Sequence, residues 1–316
     1  MNRLSRRDFL FGAALASLPL ASATNAFEKP GFRFTMPDED AFAVGETVPL
    51  RVFTKTPYPR LQVVFKANGQ SIGTASSFPY QINWTPAQTG NYNLTAEISA
   101  PQIQTTLIAN ADVFNLLYDA IGRRGIRFYD GESSYSSLET LMAPETIFGL
   151  PVNFAETLNA ARTIRRIDAV LSATTYFRNI LENIPFPTNY NFVAARIWNN
   201  GLAGFQSSPR RGSLSNTNIG APNSGSTTVP VATNSRGIKY YLLSWTNLNI
   251  VLPSAVPLAL AIHFSHSSPY DFTERISFAR SNLPGQNLLY AGGFPGSNTP
   301  LNITAIGASS IRIWTD

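Results

Sequence analysis

Between Phe32 and Leu107 the apolar residues recur with a period of two, in short runs separated by turn residues. Val48, Leu50 and Val52 share one face of a strand; Tyr80, Ile82 and Trp84 share another; Tyr92, Leu94, Ala96 and Ile98 a third. Such alternation predicts half-buried strands, because successive side chains of a strand point to opposite sides. Leu61–Lys66 reads as a further strand, and Asn68-Gly69 is a strong two-residue hairpin signal with Ser71–Thr74 returning. Strands of this length with regular turns predict an antiparallel sandwich over residues 32–107. Trp84 is in phase with Tyr80 and Ile82, which makes it a core residue rather than a sugar platform.

From residue 114 to residue 316 the strand pattern continues in a second, larger region. Ile126–Tyr129, Asn191–Trp198, Lys239–Trp245, Ala259–Phe264 and Ser309–Trp314 read as strands, and residues 108–116 as the break between two domains. Residues 155–171 carry two periods. Leu158, Ala161 and Ile164 have helical spacing, whereas Ile167, Ala169 and Leu171 alternate, which predicts a short helix or turn running into a strand from Arg165. Gly220–Gly237, rich in Gly, Ser, Thr, Asn and Pro, reads as a long flexible surface loop. The expected fold class is all-β, a first sandwich followed by a larger β-sandwich or jelly-roll-like domain.

Composition sharpens this picture mainly by exclusion. The 316 residues are 44% hydrophobic and 14% charged, with no Cys and only two His, His263 and His266. Without cysteine there is no disulfide framework, thiol nucleophile or thiolate-held cluster. The first 26 residues read as a leader rather than as structure. Ser5-Arg6-Arg7-Asp8-Phe9-Leu10 heads an apolar run to Ala21 that is too short to span a bilayer, and Ala21-Ser22-Ala23 or Thr24-Asn25-Ala26 offers a cleavage site. Removing residues 1–23 leaves 21 basic and 18 acidic residues, a net charge of +3. That balance argues against nucleic acid, which needs a clustered basic face.

Two resemblances add to this reading. The leader resembles a bacterial twin-arginine signal, matching S-R-R-x-F-L at every fixed position, which implies export of a folded protein to the periplasm or beyond. Residues 32–107 resemble bacterial immunoglobulin-like domains. The match lies in Val44–Val48, Val63–Gly73 with its Asn68-Gly69 turn, Pro79–Thr85 and Gly90–Ala96. Such domains act as spacers or adhesive modules. More loosely, the second region resembles β-sandwich domains of exported bacterial proteins with varied C-terminal anchors. The pieces are Leu117-Tyr118-Asp119, Ile167–Ala173 as a first core strand, Phe192–Asn200 and Pro257–His263. Where that group closes with a sorting tail, this sequence reads Trp314-Thr315-Asp316, which implies release or loose association.

The candidate chemistry is sparse. His263 and His266 are three apart on a strand and would point to opposite faces, so no metal site is expected from them. Asp38-Glu39-Asp40 and Asp130-Gly131-Glu132 lack a full calcium-loop pattern, and Ser133–Ser137 lacks a nucleophile elbow. No cofactor-binding motif is present. One pattern points to a ligand: Arg127-Phe128-Tyr129, Arg196-Ile197-Trp198 and Arg312-Ile313-Trp314 each repeat Arg, apolar, aromatic on an expected strand. If Phe128, Ile197 and Ile313 face the core, then Arg127, Tyr129, Arg196, Trp198, Arg312 and Trp314 decorate an outer face suited to sugars. The alternative is plain cation–π packing of each Arg on its aromatic neighbour.

The resulting expectation is an exported, non-catalytic binding, adhesion or spacer protein of the cell envelope or extracellular space. Its partner would be a polysaccharide or another surface protein. Two alternatives remain. One is an exported polysaccharide hydrolase with an immunoglobulin-like accessory domain, using a carboxylate pair drawn from Asp130, Glu132 or Asp271. The other is a purely structural subunit.

Overall fold

The computed structural model describes residues 31–37, 41–55, 57–119, 121, 147–149, 160–177, 180–183, 192–199, 215–220, 222–225, 229–233, 237–254, 258–264, 274–278, 280–281, 289–291, 303–305, 308–309 and 311–316. Within 147–149, 173–218 and 255–310 the description is of backbone pairing alone. Every regular element among the described residues is a β-strand, as the all-β expectation required. The chain divides into two compact units between Asn115 and Leu116.

The first unit holds β1 (Arg33–Thr35), β2 (Ala41–Ala43), β3 (Val48–Phe53), β4 (Gln62–Ala67), β5 (Gln70–Ala75), β6 (Tyr80–Trp84), β7 (Gly90–Ala100) and most of β8 (Ile103–Asp119). One sheet has the order β1-β3-β6, the other β5-β4-β7-β8, and β2 adds to β8 in parallel. The alternating residues of the sequence supply both inner faces. Val48, Leu50, Val52, Tyr80 and Trp84 from one sheet meet Val63, Phe65, Leu94, Ala96, Ile98 and Val113 from the other in a single core. Trp84 is buried and stands edge-on to Tyr92 with ring centroids 5.1 Å apart. Pro49 is tolerated inside β3 because β1 pairs only with Arg51–Phe53, so no partner on that side needs the missing N–H.

Asn68 and Gly69 form the β4–β5 turn, with φ of 49° and 81°. Both central residues are left-handed, the geometry that matches hairpin twist. Asn68 also clips the turn to β7. Its N–H donates to the Asn93 carbonyl at 2.8 Å, and its Oδ1 accepts from the Asn93 N–H at 2.8 Å. The segment expected to be an interdomain break, residues 108–116, lies inside β8, whose register with β7 runs unbroken from Ala100↔Ile103 to Gly90↔Val113.

The last residues of β8 belong to the second unit, with β9 (Ile147–Gly149), β10 (Arg162–Phe177), β11 (Ile180–Asn183), β12 (Phe192–Asn199), β13 (Ser215–Asn218) and β14 (Ser224–Gly225). Then follow β15 (Ala232–Thr233), β16 (Lys239–Trp245), β17 (Ile250–Leu252), β18 (Leu258–Phe264) and β19 (Glu274–Phe278). The remaining strands are β20 (Arg280–Ser281), β21 (Leu289–Ala291), β22 (Ile303–Ala305), β23 (Ala308–Ser309) and β24 (Ile311–Thr315). One sheet has the order β14-β16-β10-β24-β8, a second β13-β12-β18-β9-β21-β22, and β20 pairs with β23.

The strand expected from Arg165 begins at Arg162, with Ile164 already buried in it, so the helical spacing of Ala161 and Ile164 was fortuitous. Residues 150–159 lie outside the described residues. The stretch expected to be a flexible loop, 220–237, is tied to β16 wherever it is described. β14 and β15 both pair with β16, the Asn223 side chain bonds the Thr246 N–H at 2.8 Å, and the Trp245 indole donates to the Gly220 carbonyl at 3.0 Å. Its Asn and Gly content supplies local hydrogen bonds and close backbone approach. A Cβ on Gly225 would run into the Leu242 carbonyl oxygen.

The Asn68 turn yields a test that separates backbone strain from hydrogen bonding. Asn68→Ala, which keeps neither the side-chain bond nor an easy left-handed φ, should destabilise the protein by about 1–3 kcal/mol. Asn68→Gly, which restores only the conformational freedom, should cost less in the same urea melts.

Candidate functional site

The polar side chains of the second unit converge on the middle of β10. Its register sets Arg166 opposite Trp314 and Asp168 opposite Arg312 on β24, while Asp168 also lies opposite Ser244 on β16. Residues directly opposite in antiparallel strands share a face. These five therefore share one side of the sheet, while Ile167, Ala169, Leu171, Leu243, Trp245, Ile311 and Ile313 supply the other, all of them buried.

Asp168 is 1% exposed, Arg166 4% and Trp314 0%. Arg166 Nε donates to Asp168 Oδ1 at 2.7 Å and the Trp314 indole Nε1 donates to Asp168 Oδ2 at 2.6 Å, so both carboxylate oxygens are engaged. Arg166 Nη2 donates to Ser244 Oγ at 3.1 Å. Arg312, its guanidinium 5.3 Å from the Trp314 ring centroid, donates from Nε to Asp119 Oδ1 at 3.2 Å. Asp119 Oδ1 also accepts the Ile121 N–H at 3.0 Å. Two arginines thus offset two aspartates, the condition under which buried charge is tolerated. Beyond them, Ile121, Val170, Ile238 and Tyr240 close an apolar cluster.

Next to Asp119, the Tyr118 hydroxyl is buried and has no hydrogen-bond partner among the described residues. Desolvation, with the negative charge of Asp119 adding to it, pushes the Tyr118 phenol from its ordinary 10.0 up to about 12. Farther along, Asp316 folds back on β10. Its Oδ1 accepts the Thr163 N–H at 2.8 Å and its Oδ2 accepts from Arg165 at 3.2 Å. Partial desolvation raises the Asp316 carboxyl, but the Thr163 bonds and the Arg165 charge outweigh that and hold it below its ordinary value.

This arrangement corrects the expected outer face for Arg312 and Trp314. All five residues of β24 are buried, Arg312 at 5% exposure among them. The alternation argument assumed that one side of the strand faces water. Here both sides are covered, and Asp119 and Asp168 meet the polar needs of the side that carries Arg and Trp. Stacking of Arg312 on Trp314 is present, as buried packing rather than at the surface. Arg196 and Trp198 lie two apart on β12, opposite Ala261 and Ala259 of β18, and their side chains lie outside the described residues. Arg127 and Tyr129 also lie outside, as do Asp38–Asp40, Asp130, Glu132, Ser133–Ser137, His266 and Asp271. His263 is on β18 opposite Ala194 and Ile147, known by its backbone alone.

Asp168 and Arg166, on which the network turns, were not singled out by sequence reasoning. Their signal was present: Arg166-Ile167-Asp168 places two opposite charges two residues apart in a strand that otherwise reads as core. With both carboxylate oxygens engaged and Arg166, Asp168 and Trp314 buried, the constellation ties β10, β16 and β24 to one another.

With this geometry in place, the comparisons fall on the first unit. The two face-to-face sheets form an immunoglobulin-like β-sandwich, and residues 30–96 match the bacterial Ig domain family. Among solved structures, the chain is similar to fibronectin(III)-like modules of Clostridium thermocellum CbhA, at 21% identity over 26% of this chain and 94% of the module, TM-score 0.23. It is also similar to a CARDB domain from Pyrococcus furiosus, at 17% identity over 26% of this chain and 92% of that domain, TM-score 0.21. No curated protein matches the chain.

Two measurements check the reading of the buried network. Trp314→Ala should cost about 3–5 kcal/mol, as large-to-small changes of buried aromatics do. Trp314→Phe, which keeps most of the volume but removes the N–H from Asp168, should cost about 1–3 kcal/mol. An unchanged melting temperature in Trp314→Ala would place that ring at the surface.

The Tyr118 phenol makes a separate claim about alkaline pH. Its folded pKa lies above its unfolded one, so above pH 10 the unfolded chain loses the proton first and stability falls until about pH 12. The loss should be on the order of 2 kcal/mol. Tyr118→Phe should be close to neutral at pH 7, because the hydroxyl has no partner to lose, and should flatten the decline in denaturant melts between pH 10 and 12.

Proposed function

We propose that this chain is an exported, non-catalytic binding or spacer protein of a bacterial cell envelope or of the extracellular space. Its partner would be a polysaccharide or another surface protein. The observation that carries this reading is the immunoglobulin-like sandwich, matched to a bacterial Ig domain, directly behind a twin-arginine-like leader. A sandwich of this kind is a stiff unit whose outer sheet faces are free to carry contacts, which suits spacing and adhesion. The leader supplies the export part of the reading. Its paired Arg6 and Arg7 precede an apolar run that contains Gly12 and Pro19 and is only moderately hydrophobic.

Cell fractionation tests the export step directly. The double substitution Arg6→Lys with Arg7→Lys should leave the precursor in the cytoplasm, while the unaltered chain leaves it. Undiminished export of the double variant would show that another route reads the leader.

A further inference from the structure

The outward side of the β1-β3-β6 sheet takes no part in the core or in the buried network. Its outward positions are Arg33 and Thr35 on β1, Arg51 and Phe53 on β3, and Gln81 and Asn83 on β6. The registers set Arg33 opposite Phe53, and Thr35 and Gln81 on either side of Arg51. Phe53 is 51% exposed and Phe78, in the turn leading into β6, is 53% exposed. Val52 pairs with Tyr80, so Phe53 ends level with Pro79, beside the Phe78 turn. Phe78 lies edge-on to the inward-facing Tyr80 with ring centroids 6.1 Å apart, so the ring left in water on the sheet face itself is Phe53, with Arg33 opposite it and Arg51 two residues back.

Along the segment that forms β3 and β6 the charge has one sign. Residues 47–96 contain no Asp or Glu, and their four basic residues are Arg51, Lys55, Arg60 and Lys66. Lys66 is on the other sheet and is already paired with Glu97 at 2.6 Å. Arg51, Lys55 and Arg60 lie on β3 or in the loop leaving it, and Arg33 is beside Phe53.

That loop is held in place. The Tyr80 hydroxyl accepts the Tyr58 N–H at 3.2 Å and donates to the Tyr58 carbonyl at 3.1 Å, and Leu61 is buried. Between these anchors Arg60 sits at φ 57°, a left-handed conformation that a side chain this large adopts only when its surroundings impose it. The loop that carries Lys55 is thereby anchored at its far end.

We infer that this face binds an anionic polysaccharide. Pyranose rings offer a C–H face that stacks on Phe53, while carboxylates at the ring margin meet Arg33 and Arg51 on the same face and Lys55 in the loop leaving β3. The Gln81 and Asn83 amides are placed to bond hydroxyls. A face that sets the Thr35 hydroxyl and the Gln81 and Asn83 amides beside its cations offers partners to a hydroxyl-rich polymer, which favours a polysaccharide over insertion into a lipid layer. The inference rests on the binding side of the proposed function and gives that partner a chemical class.

Biolayer interferometry with the full chain on immobilised alginate, with neutral dextran and phosphatidylglycerol vesicles as parallel surfaces, tests it. The chain should bind alginate and not dextran, and the binding should weaken as sodium chloride rises from about 50 mM to about 500 mM, where screening shortens the reach of each charge. Phe53→Ala should lower affinity about fivefold, and Arg51→Gln with Lys55→Gln roughly tenfold, with unchanged melting temperatures because these side chains are exposed. Gln81→Glu, which puts a carboxylate on the face without touching the core, should also weaken binding, while Lys66→Gln should leave it unaltered. Three results would each overturn the inference: no retention on alginate at low salt, equal binding by both the Phe53 and Arg51/Lys55 variants, or binding to vesicles alone. Because the purified chain is used, such a result leaves the export test on Arg6 and Arg7 to stand or fall separately.

Discussion

A carboxylate shut away from water in the middle of a strand must find its donors among the side chains that share its face, and Asp168 shows what that requirement does to a sheet. One of its oxygens is met by Arg166 from its own strand and the other by Trp314 from β24, while Arg166 reaches on to Ser244 of β16. Sliding β24 by one residue would turn Ile313 toward the carboxylate and Trp314 away, because side chains alternate along a strand. The buried charge would then lack one of its partners, and breaking such a group costs about 3–5 kcal/mol. The alternatives in register are therefore separated from the native one by a penalty that hydrophobic packing alone would not impose. Arg312 and Asp119 repeat the device one step along β24.

The first unit specifies its strands differently. Its inner faces are apolar, its registers follow from the period of two, and tight turns such as Asn68-Gly69 set the hairpin phase. Its charged pairs lie at the surface, as with Lys66 and Glu97 on neighbouring strands, where each contributes little to stability. With no charge needed inside, the outward side of the β1-β3-β6 sheet carries Arg33 and Arg51 beside the exposed Phe53. That separation between a core that fixes the fold and a face that takes no part in it is what allows an immunoglobulin-like sandwich to carry contacts without altering its packing.

The two units thus give opposite meanings to the same local pattern. An arginine two residues from an aromatic occurs at Arg51 and Phe53 and again at Arg312 and Trp314. On β3 the pair is exposed, because β1, β3 and β6 bury only their inner side. On β24 it is buried, because the sheet is covered on both sides and Asp119 and Asp168 stand opposite. A ligand-face argument from alternation holds only where one side of the sheet meets water.

The sequence by itself determined β3 to β7 of the first unit, its hairpin turn, the burial of Trp84 and its likeness to bacterial immunoglobulin-like domains. These follow from local alternation and turn chemistry, which a single strand carries within its own residues. It also located β12, β16, β18 and β24 to within a residue or two. Which sides of those strands are covered was beyond it, since β10, β16 and β24 are brought together from far apart in the chain and each alone reads as half-exposed. Arg166, Asp168 and Trp314 acquired their roles only when the registers placed them opposite one another. Likewise the two units divide within the expected segment 108–116, yet β8 runs on through it without interruption, its part up to Val113 held by pairing with β7, a condition set by the neighbouring strand and not by the composition of the segment. Covering and pairing are properties of tertiary neighbours, and only the folded structure decides them.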